Sequence, residues 1–364
     1  MNMGKRTPLY DDHLKLNATM VDFHGWDMPM QYGKILDEHM AVRERAGIFD
    51  VSHMGDIVIS GKDSEKFLNF MFPSDVSVLK DGTAIYTAFL NDDGNIIDDT
   101  ILYRLSGTKY FIVPNAATTD VVLKWMESHK GDFDVTIENV SDYIACIALQ
   151  GKRSEEILEK MKIKYPGEFK FYEVTSNDFS LNRITGNHGY IVSGTGYTGE
   201  KGVEFLVPSE NASELWNKLL LFLRDIDGLP CGLGSRDTLR MEKGMLLSGT
   251  DFSSDRNPRE CSISFILTNR GNFIGREGME MSQSQEIFRG IKIDGKIIPR
   301  SGSMVMAGDR IIGKVTSGTL SPVLGRSIAL AFIDKNFSKS GTKVDVVVRD
   351  KRLPGEVSRP RMVP

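Results

Sequence analysis

Apolar and polar positions alternate in short runs through the first third of the chain: DIVISG at 56–61, AIYTAFL at 84–90, IIDDTILYRL at 96–105 and KYFIVPN at 109–115. Alternation with a period of two turns one face of each run toward a core. The NDDGN and SGT segments between the runs have turn composition, so the pattern predicts an antiparallel meander. A period near 3.6 takes over at SEKFLNFMF (64–72), TTDVVLKWMESH (118–129), KRSEEILEKMK (152–162) and ASELWNKLLLFLRDI (212–226), which predicts helices. Strands and helices interleave without a regular βαβ alternation, which favours an α+β fold over a doubly wound parallel sheet.

After residue 280 the pattern changes. GIKIDG, SMVMAGDRIIGKVTSG, SIALAFI and TKVDVVVRD are short strand-like runs divided by Gly, Ser and Pro, with no helical period among them. This spacing predicts a separate all-β C-terminal domain over 285–364, barrel or jelly-roll-like, with the boundary near MSQSQEIF at 281–288. Residues 1–280 are left to the α+β part.

Composition narrows the function. A chain of 364 residues with 40% hydrophobic content can build two or three packed domains. A net charge of −4 supplies no general attraction to nucleic acid or to an anionic membrane, so neither is an expected partner. Cys146, Cys231 and Cys261 lie far apart without a CxxC, which encodes neither a disulfide framework nor a zinc knuckle and suits a reducing compartment. The six histidines form no HxH or HxxxH pair, so no metal is expected. The opening MNMGKRTPLYDDHLKLN lacks an apolar signal core, and no run approaches membrane-spanning length; the expectation is a cytoplasmic protein.

Within 94–103, GNIIDDTILY, alternation puts Ile97, Asp99, Ile101 and Tyr103 on one side and Ile96, Asp98, Thr100 and Leu102 on the other. Asp99 therefore has apolar neighbours, either as half of a solvated pair near a turn or as a carboxylate put to use. IVSGTGYTGEKGVEFLVP (191–208) contains GxGxxG at Gly194, Gly196 and Gly199, but no helix pattern follows, so a dinucleotide fingerprint fails its context. Glu204 lies among apolar residues in the run after this loop. It either pairs with a Lys or Arg of a neighbouring strand or accepts paired N–H bonds from a ring edge such as that of a pterin.

GLPCGLGSRDTLRMEKGMLL (228–247) reads as a Gly-rich entry with Ser235 as N-cap of a helix. Arg236 then falls in the first turn, where the helix dipole disfavours a cation unless an anion is near, either Asp237 or a ligand carboxylate. Asn115 reads as a cap or a ligand contact, Tyr86 and Tyr197 as packing residues or walls for a flat ligand, and Met54 as core or site. His53 has no Ser, Cys or carboxylate partner nearby in sequence, so no catalytic triad is read here.

Taken together, TPLYDDHLKLNATMVDFHGWDMPMQY, AGIFDVSHMG, GNIIDDTILY, GTGYTGEKGVEF, GLGSRDTLRMEKGMLLSGTD, NFIGRE and KVTSGTLSPVLGRSIALAF resemble the T-protein (aminomethyltransferase) family of the glycine cleavage system over nearly the whole chain. The resemblance implies a three-domain clover-leaf fold, with two interwoven α+β domains and the C-terminal β domain. It implies transfer of a one-carbon unit from the aminomethyl-lipoyl H-protein to tetrahydrofolate, the co-substrate, with release of ammonia. It places the family's key aspartate at Asp99, its pterin-holding glutamate at Glu204 and its folate-site arginine at Arg236. Asn115, Tyr86, Tyr197 and Met54 match folate-lining positions.

The chain departs from the family where RLEAGLRLYG is usual and RMEKGMLLSG stands, placing Lys243 and Ser248 there. It departs again at PRECSISF, in place of PVEAGLGW, and in ending at MVP. Two other readings stay open at this level: a tetrahydrofolate-dependent demethylase of a small methylated donor, and a non-catalytic folate-binding accessory protein. The accessory relatives carry a cysteine in a KGCYxGQE-like motif that GYTGEKGVE lacks.

Overall fold

The computed structural model describes residues 4–181 and 184–364. The chain opens with β1 (Lys5–Arg6), α1 (Tyr10–Lys15), β2 (Thr19–Phe23) and β3 (Trp26–Gln31), the strands forming a small sheet in the order β1-β3-β2. Next come α2 (Ile35–Glu44), β4 (Gly47–Asp50), β5 (Ile57–Ser60), α3 (Ser64–Met71), β6 (Thr83–Leu90), β7 (Ile96–Ser106), β8 (Lys109–Val113), α4 (Thr119–His129) and β9 (Thr136–Asn139). The meander expected from the alternation is present, in a five-stranded sheet ordered β6-β7-β8-β5-β9. In the β7–β8 hairpin Ile101 lies opposite Val113 and Tyr103 opposite Phe111.

A second sheet is built around β10 (Ile144–Gln150). After α5 (Ser154–Lys160) follow β11 (Phe171–Ser180), β12 (His188–Ser193), β13 (Gly202–Pro208), α6 (Ala212–Arg224), β14 (Leu229–Pro230) and α7 (Leu233–Lys243). The sheet order is β11-β12-β13-β10-β4-β14. All seven residues of β10 are buried, as the unbroken run IACIALQ requires of a strand covered on both faces. Ile147, Leu149, Val203, Phe205 and Val207 point to one face. There they pack with Leu215, Trp216, Leu219 and Leu223 of α6, whose apolar stripe was legible in its period. The opposite face carries Cys146, Ala148, Glu204 and Leu206.

The last segment holds α8 (Arg276–Met281), then β15 (Glu286–Ile293), β16 (Met304–Ala307), β17 (Arg310–Ser321), β18 (Arg326–Asp334), β19 (Lys343–Val348) and β20 (Lys351–Ser358). These strands close into a six-stranded barrel, β15-β18-β17-β16-β19-β20, filled by Ile291, Ile293, Val315, Ala329, Ala331, Ile333 and Val346. The fold is thus α+β with mainly antiparallel sheets and a β-barrel at its C-terminal end.

By internal contacts the chain forms two compact units. One takes the chain up to Phe89 together with Asp99–Arg236; the other takes Leu90–Asp98 together with Asp237–Pro364. In the second unit Gly94, at φ +77°, lies so close to Met279 that a Cβ there would fall 2.3 Å from its backbone nitrogen. Arg240 anchors the same unit, giving Nη1 to Asp251 Oδ2 at 2.5 Å and Nη2 to Ser317 Oγ at 2.9 Å. Arg240 Nε donates to Asp237 Oδ1 at 2.8 Å. Lys243 donates to the Pro364 carbonyl at 2.6 Å, and Ser248 is buried.

Candidate functional site

Asp99 lies on β7 with both carboxylate oxygens engaged by neutral donors of the same unit. Tyr86 Oη, from β6, donates to Oδ2 at 2.8 Å, and Asn115 Nδ2 donates to Oδ1 at 3.0 Å and to the Asp99 carbonyl at 3.0 Å. The β7–β8 register, continued two residues past Ile101 and Val113, brings Asn115 level with Asp99. Asn115 is itself fixed, its carbonyl accepting from the Thr118 and Thr119 hydroxyls. Burial does not distinguish Asp99, because Asp98 on the other side of the strand is fully buried while Asp99 is half-buried. Its two side-chain donors do.

Glu204 is on β13, opposite Ala148 of β10 and Ser193 of β12, so no basic residue stands beside it in the sheet. Among the described residues it makes no ion pair; its Oε2 accepts from the Thr195 hydroxyl in a short hydrogen bond. Because a carboxylate only accepts, the Thr195 proton points to Glu204, and Tyr103 Oη then donates to Thr195 Oγ1 at 3.1 Å. Ser193 Oγ lies 3.3 Å from Tyr103 Oη and completes the chain. Burial, with the Glu204 charge adding to it, holds the Tyr103 phenol well above its usual range, so it stays a neutral donor.

Tyr103 makes the two carboxylates one wall. It shares a face of β7 with Asp99 four residues away, about 13 Å along a strand, and reaches the Glu204 cluster with its hydroxyl. The GxGxxG segment is a loop between β12 and β13, pinned by Gln150. Gln150 Nε2 donates to the Thr195 carbonyl at 3.1 Å, and its Oε1 accepts from Thr198 Oγ1 at 2.8 Å. A Cβ on Gly196 would sit 2.1 Å from Gln150 Oε1, so glycine is required there for the approach.

Arg236 is in the first turn of α7, yet Ser235 is not the N-cap that the sequence suggests. The helix starts at Leu233, and the Ser235 hydroxyl donates to the Gly232 carbonyl at 2.9 Å and to Glu38 Oε2 at 3.1 Å. Glu38, from α2, serves the helix start instead, also accepting from Gly232 N at 2.9 Å. Nothing local in the sequence could reveal a carboxylate supplied from 194 residues away. The Arg236 guanidinium stacks over Tyr197 at 4.8 Å, and its Nη1 is buried with no hydrogen-bond partner among the described residues. Burial pushes its pKa down, and Glu204 is the largest charge opposing that shift.

Met54 lies in the turn between β4 and β5. Its neighbour Gly55 donates to the Pro114 carbonyl at 3.0 Å, which puts Met54 beside the segment carrying Asn115, though no hydrogen bond joins Met54 to Asp99 or Glu204 among the described residues. The same turn carries His53 and Asp56. Burial drives the His53 pKa down to about 4 and raises the Asp56 carboxyl well above the usual range. Cys146, on the face of β10 that Glu204 shares, is pushed up by burial and remains a thiol. All three cysteines are buried and unlinked.

The structure therefore gathers Asp99, Tyr86 and Asn115 at one end of a shared wall, and Glu204, Arg236 and Tyr197 at the other. Sequence reading missed Tyr103, Thr195 and Gln150, which hold the Glu204 end; on strands and loops such residues look like any packing or turn position. Among the described residues no group of three or more His, Cys, Asp or Glu side chains has a metal-site arrangement, and no helix is long and apolar enough to cross a membrane.

Comparison with known proteins adds a second line. Residues 9–270 match the family profile described as the GCVT N-terminal domain, and 288–363 match the glycine cleavage T-protein C-terminal barrel domain. An aminomethyltransferase of Caldanaerobacter subterraneus subsp. tengcongensis is 42% identical over 353 residues, covering 96% of this chain and 93% of the relative. One of Thermotoga maritima is 39% identical over 352 residues, covering 96% and 94%. The crystal structure of glycine cleavage system aminomethyltransferase T from Bartonella henselae superimposes with a TM-score of 0.89 at 28% identity, covering 99% of this chain and 98% of that one.

Proposed function

This chain belongs to the glycine cleavage T-protein family, whose enzymes are aminomethyltransferases, and from that premise we propose that tetrahydrofolate is its co-substrate and the lipoylated H-protein its donor partner. The reaction is redox-neutral. The donor's carbon–sulfur bond and carbon–nitrogen bond break, and two carbon–nitrogen bonds form to the folate nitrogens. The two N–H protons of the folate leave with the thiol and the ammonia. Full-length similarity to aminomethyltransferases supports this reading over the demethylase and the accessory protein.

The observation that carries the proposal is the pair of carboxylates on one wall, Asp99 with its two neutral donors and Glu204 with Thr195. In it, Glu204 accepts from the adjacent N–H and amino groups of the pterin edge, and Tyr197 and Arg236 flank the ring system. Asp99, at the other end of the wall, faces the folate nitrogens that take the carbon. Its charge stabilises the positive charge that grows on that carbon as the bond to sulfur breaks, and it orients the attacking nitrogen. A free aspartate titrates near 3.9 and is a weak base at neutral pH, so electrostatic and orienting work suits it better than proton abstraction. Met54 and Asn115 complete the lining. The proposal also assigns residues 1–280 to the folate-binding transferase region and 285–364 to the C-terminal β domain. It places the protein in the cytoplasm, with no metal in the reaction.

The test is turnover of purified protein with tetrahydrofolate and aminomethylated H-protein, following ammonia and methylenetetrahydrofolate together. Equimolar formation of both is expected, and Asp99→Asn should abolish most of it while folate still binds. Failure to form either product with an authenticated donor would refute the assignment.

A further inference from the structure

Two threonines open α4, and neither caps it. Thr118 stands at the N-cap, yet its hydroxyl accepts from none of the first-turn amides that such a residue ordinarily satisfies. Thr118 Oγ1 donates instead to the carbonyl of Asn115 at 3.1 Å, and Thr119 Oγ1 donates to the same oxygen at 3.0 Å. Neither hydroxyl has another hydrogen-bond partner among the described residues. The turn does not need them for closure, because Thr118 N already donates to that carbonyl at 3.1 Å. Both hydroxyls are thus diverted from the helix to one backbone oxygen.

Thr119 is itself seated against the DVSHMG turn. Gly55 lies so close that a Cβ there would fall 2.4 Å from Thr119 Oγ1 and 2.7 Å from its Cγ2. The turn is tied to the same segment, since Gly55 N donates to the Pro114 carbonyl at 3.0 Å. Asn115 is therefore held from both directions along the chain. Before it, Pro114 has a φ locked by its ring and a carbonyl already engaged; after it, the threonines grip the Asn115 carbonyl. A strand-to-helix loop is otherwise the softest part of such an arrangement. With this backbone fixed, the Asn115 amide is left two side-chain torsions, and its Nδ2 meets the Asp99 carbonyl and Oδ1, each at 3.0 Å.

We infer that Thr118 and Thr119 are positioning residues of the transfer reaction: their hydroxyls fix the Asn115 backbone and, through its amide, the carboxylate plane of Asp99. The inference rests on the role proposed for Asp99 above. Both threonines act through Asn115, so their loss belongs in turnover and not in folate binding.

The experiment is steady-state kinetics of the full chain with tetrahydrofolate and saturating aminomethylated H-protein. The variants are Thr119→Val, Thr119→Ser and Thr118→Val combined with Thr119→Val, with Thr119→Val made also in an Asn115→Ala background. Thr119→Val removes the donor at nearly constant volume and should lower kcat about three- to tenfold, with the KM for tetrahydrofolate changed by less than about twofold. Thr119→Ser keeps the hydroxyl and should restore most of kcat. Removing both hydroxyls should approach the loss caused by Asn115→Ala alone. Once Asn115 is alanine no amide is left to aim, so Thr119→Val should then cost less than about twofold, whereas a general loosening of the fold would cost as much in either background. Equal losses in the two backgrounds, or a change confined to KM, overturn the inference. An unchanged kcat without either hydroxyl overturns it and leaves the proposed function standing. Absence of turnover by wild type removes the proposed function and the inference together. Should Thr119→Val pack badly against Gly55 and fail to fold, Thr119→Ala carries the same expectations with a smaller side chain.

Discussion

Tyr86, on β6, and Asn115, just past the end of β8, grip the Asp99 carboxylate from the two sides of β7, one at each oxygen, at 2.8 and 3.0 Å. The carboxylate plane is thereby fixed before any ligand arrives, which is what an orienting group needs. Hydrogen bonds to a charged group contribute about 1.5–3 kcal/mol each.

From this grip we expect Tyr86→Phe and Asn115→Ala each to lower kcat by about 10- to 100-fold, through loss of Asp99 orientation. Steady-state kinetics with varied tetrahydrofolate separates this from lost binding. A change confined to KM would mean that these side chains line the ligand and do not position Asp99.

Glu204 and Asp99 should separate binding from chemistry. Glu204→Gln keeps the shape but turns an N–H donor toward the ligand's own donors, so folate affinity should fall about 10- to 100-fold. Asp99→Asn should leave affinity within a few-fold and depress turnover. Calorimetric titration of both variants decides the matter, and equal loss of affinity in the two would contradict the division of labour.

His53 makes stability depend on pH in a stated direction. Burial pushes its pKa down to about 4, with Arg236 and His24 adding to the shift and Asp50 opposing it. In the unfolded chain the ring takes a proton near pH 6.5, while in the fold it stays neutral until about pH 4. Stability is therefore full above the unfolded value and drains away as pH falls toward 4, by roughly 3 kcal/mol in all. Urea midpoints at pH 7.5 and 4.5 should converge in His53→Asn by about 2–3 kcal/mol relative to wild type. Parallel losses in the two proteins would refute it.

In the second unit, Asp251 accepts from Arg240, Ser317 and Leu247 N while fully out of solvent. Asp251→Ala leaves the buried guanidinium with only the half-exposed Asp237 opposite its charge, and should cost about 3–5 kcal/mol. Chemical denaturation of purified protein reads this directly; a loss below about 1 kcal/mol would show that Arg240 finds other partners.

Much of this architecture was legible in the chain. The alternations at 84–90, 96–105 and 109–115 became β6, β7 and β8, the 212–226 stripe became α6, and the change of character after 280 became the closed barrel. Periodicity reports such faces because burial selects them. The start of α7 was misread, since Ser235 looks like a cap and Glu38 does that work from another helix. The GxGxxG loop was placed between two strands by its context, but its anchor, Gln150, lies on a distant strand. Likewise, the charges at Asp99, Glu204 and Arg236 stood out in their apolar settings. The neutral chain of Ser193, Tyr103 and Thr195 that ties Glu204 to β7 is a product of sheet pairing, and no local pattern marks it.

Because Asp99 and Tyr103 sit on the same side of one strand, their separation is counted in even steps. One residue inserted or deleted between them would swing either the carboxylate or the phenol to the far side of the sheet, whatever its identity. Two residues would restore the side but stretch or shrink the interval by about 7 Å. The strand thus works as a graduated rule: the four residue steps from Asp99 to Tyr103 set how far the carboxylate stands from the phenol that reaches Glu204, and under the proposed function they set the length of molecule that fits between the two carboxylates.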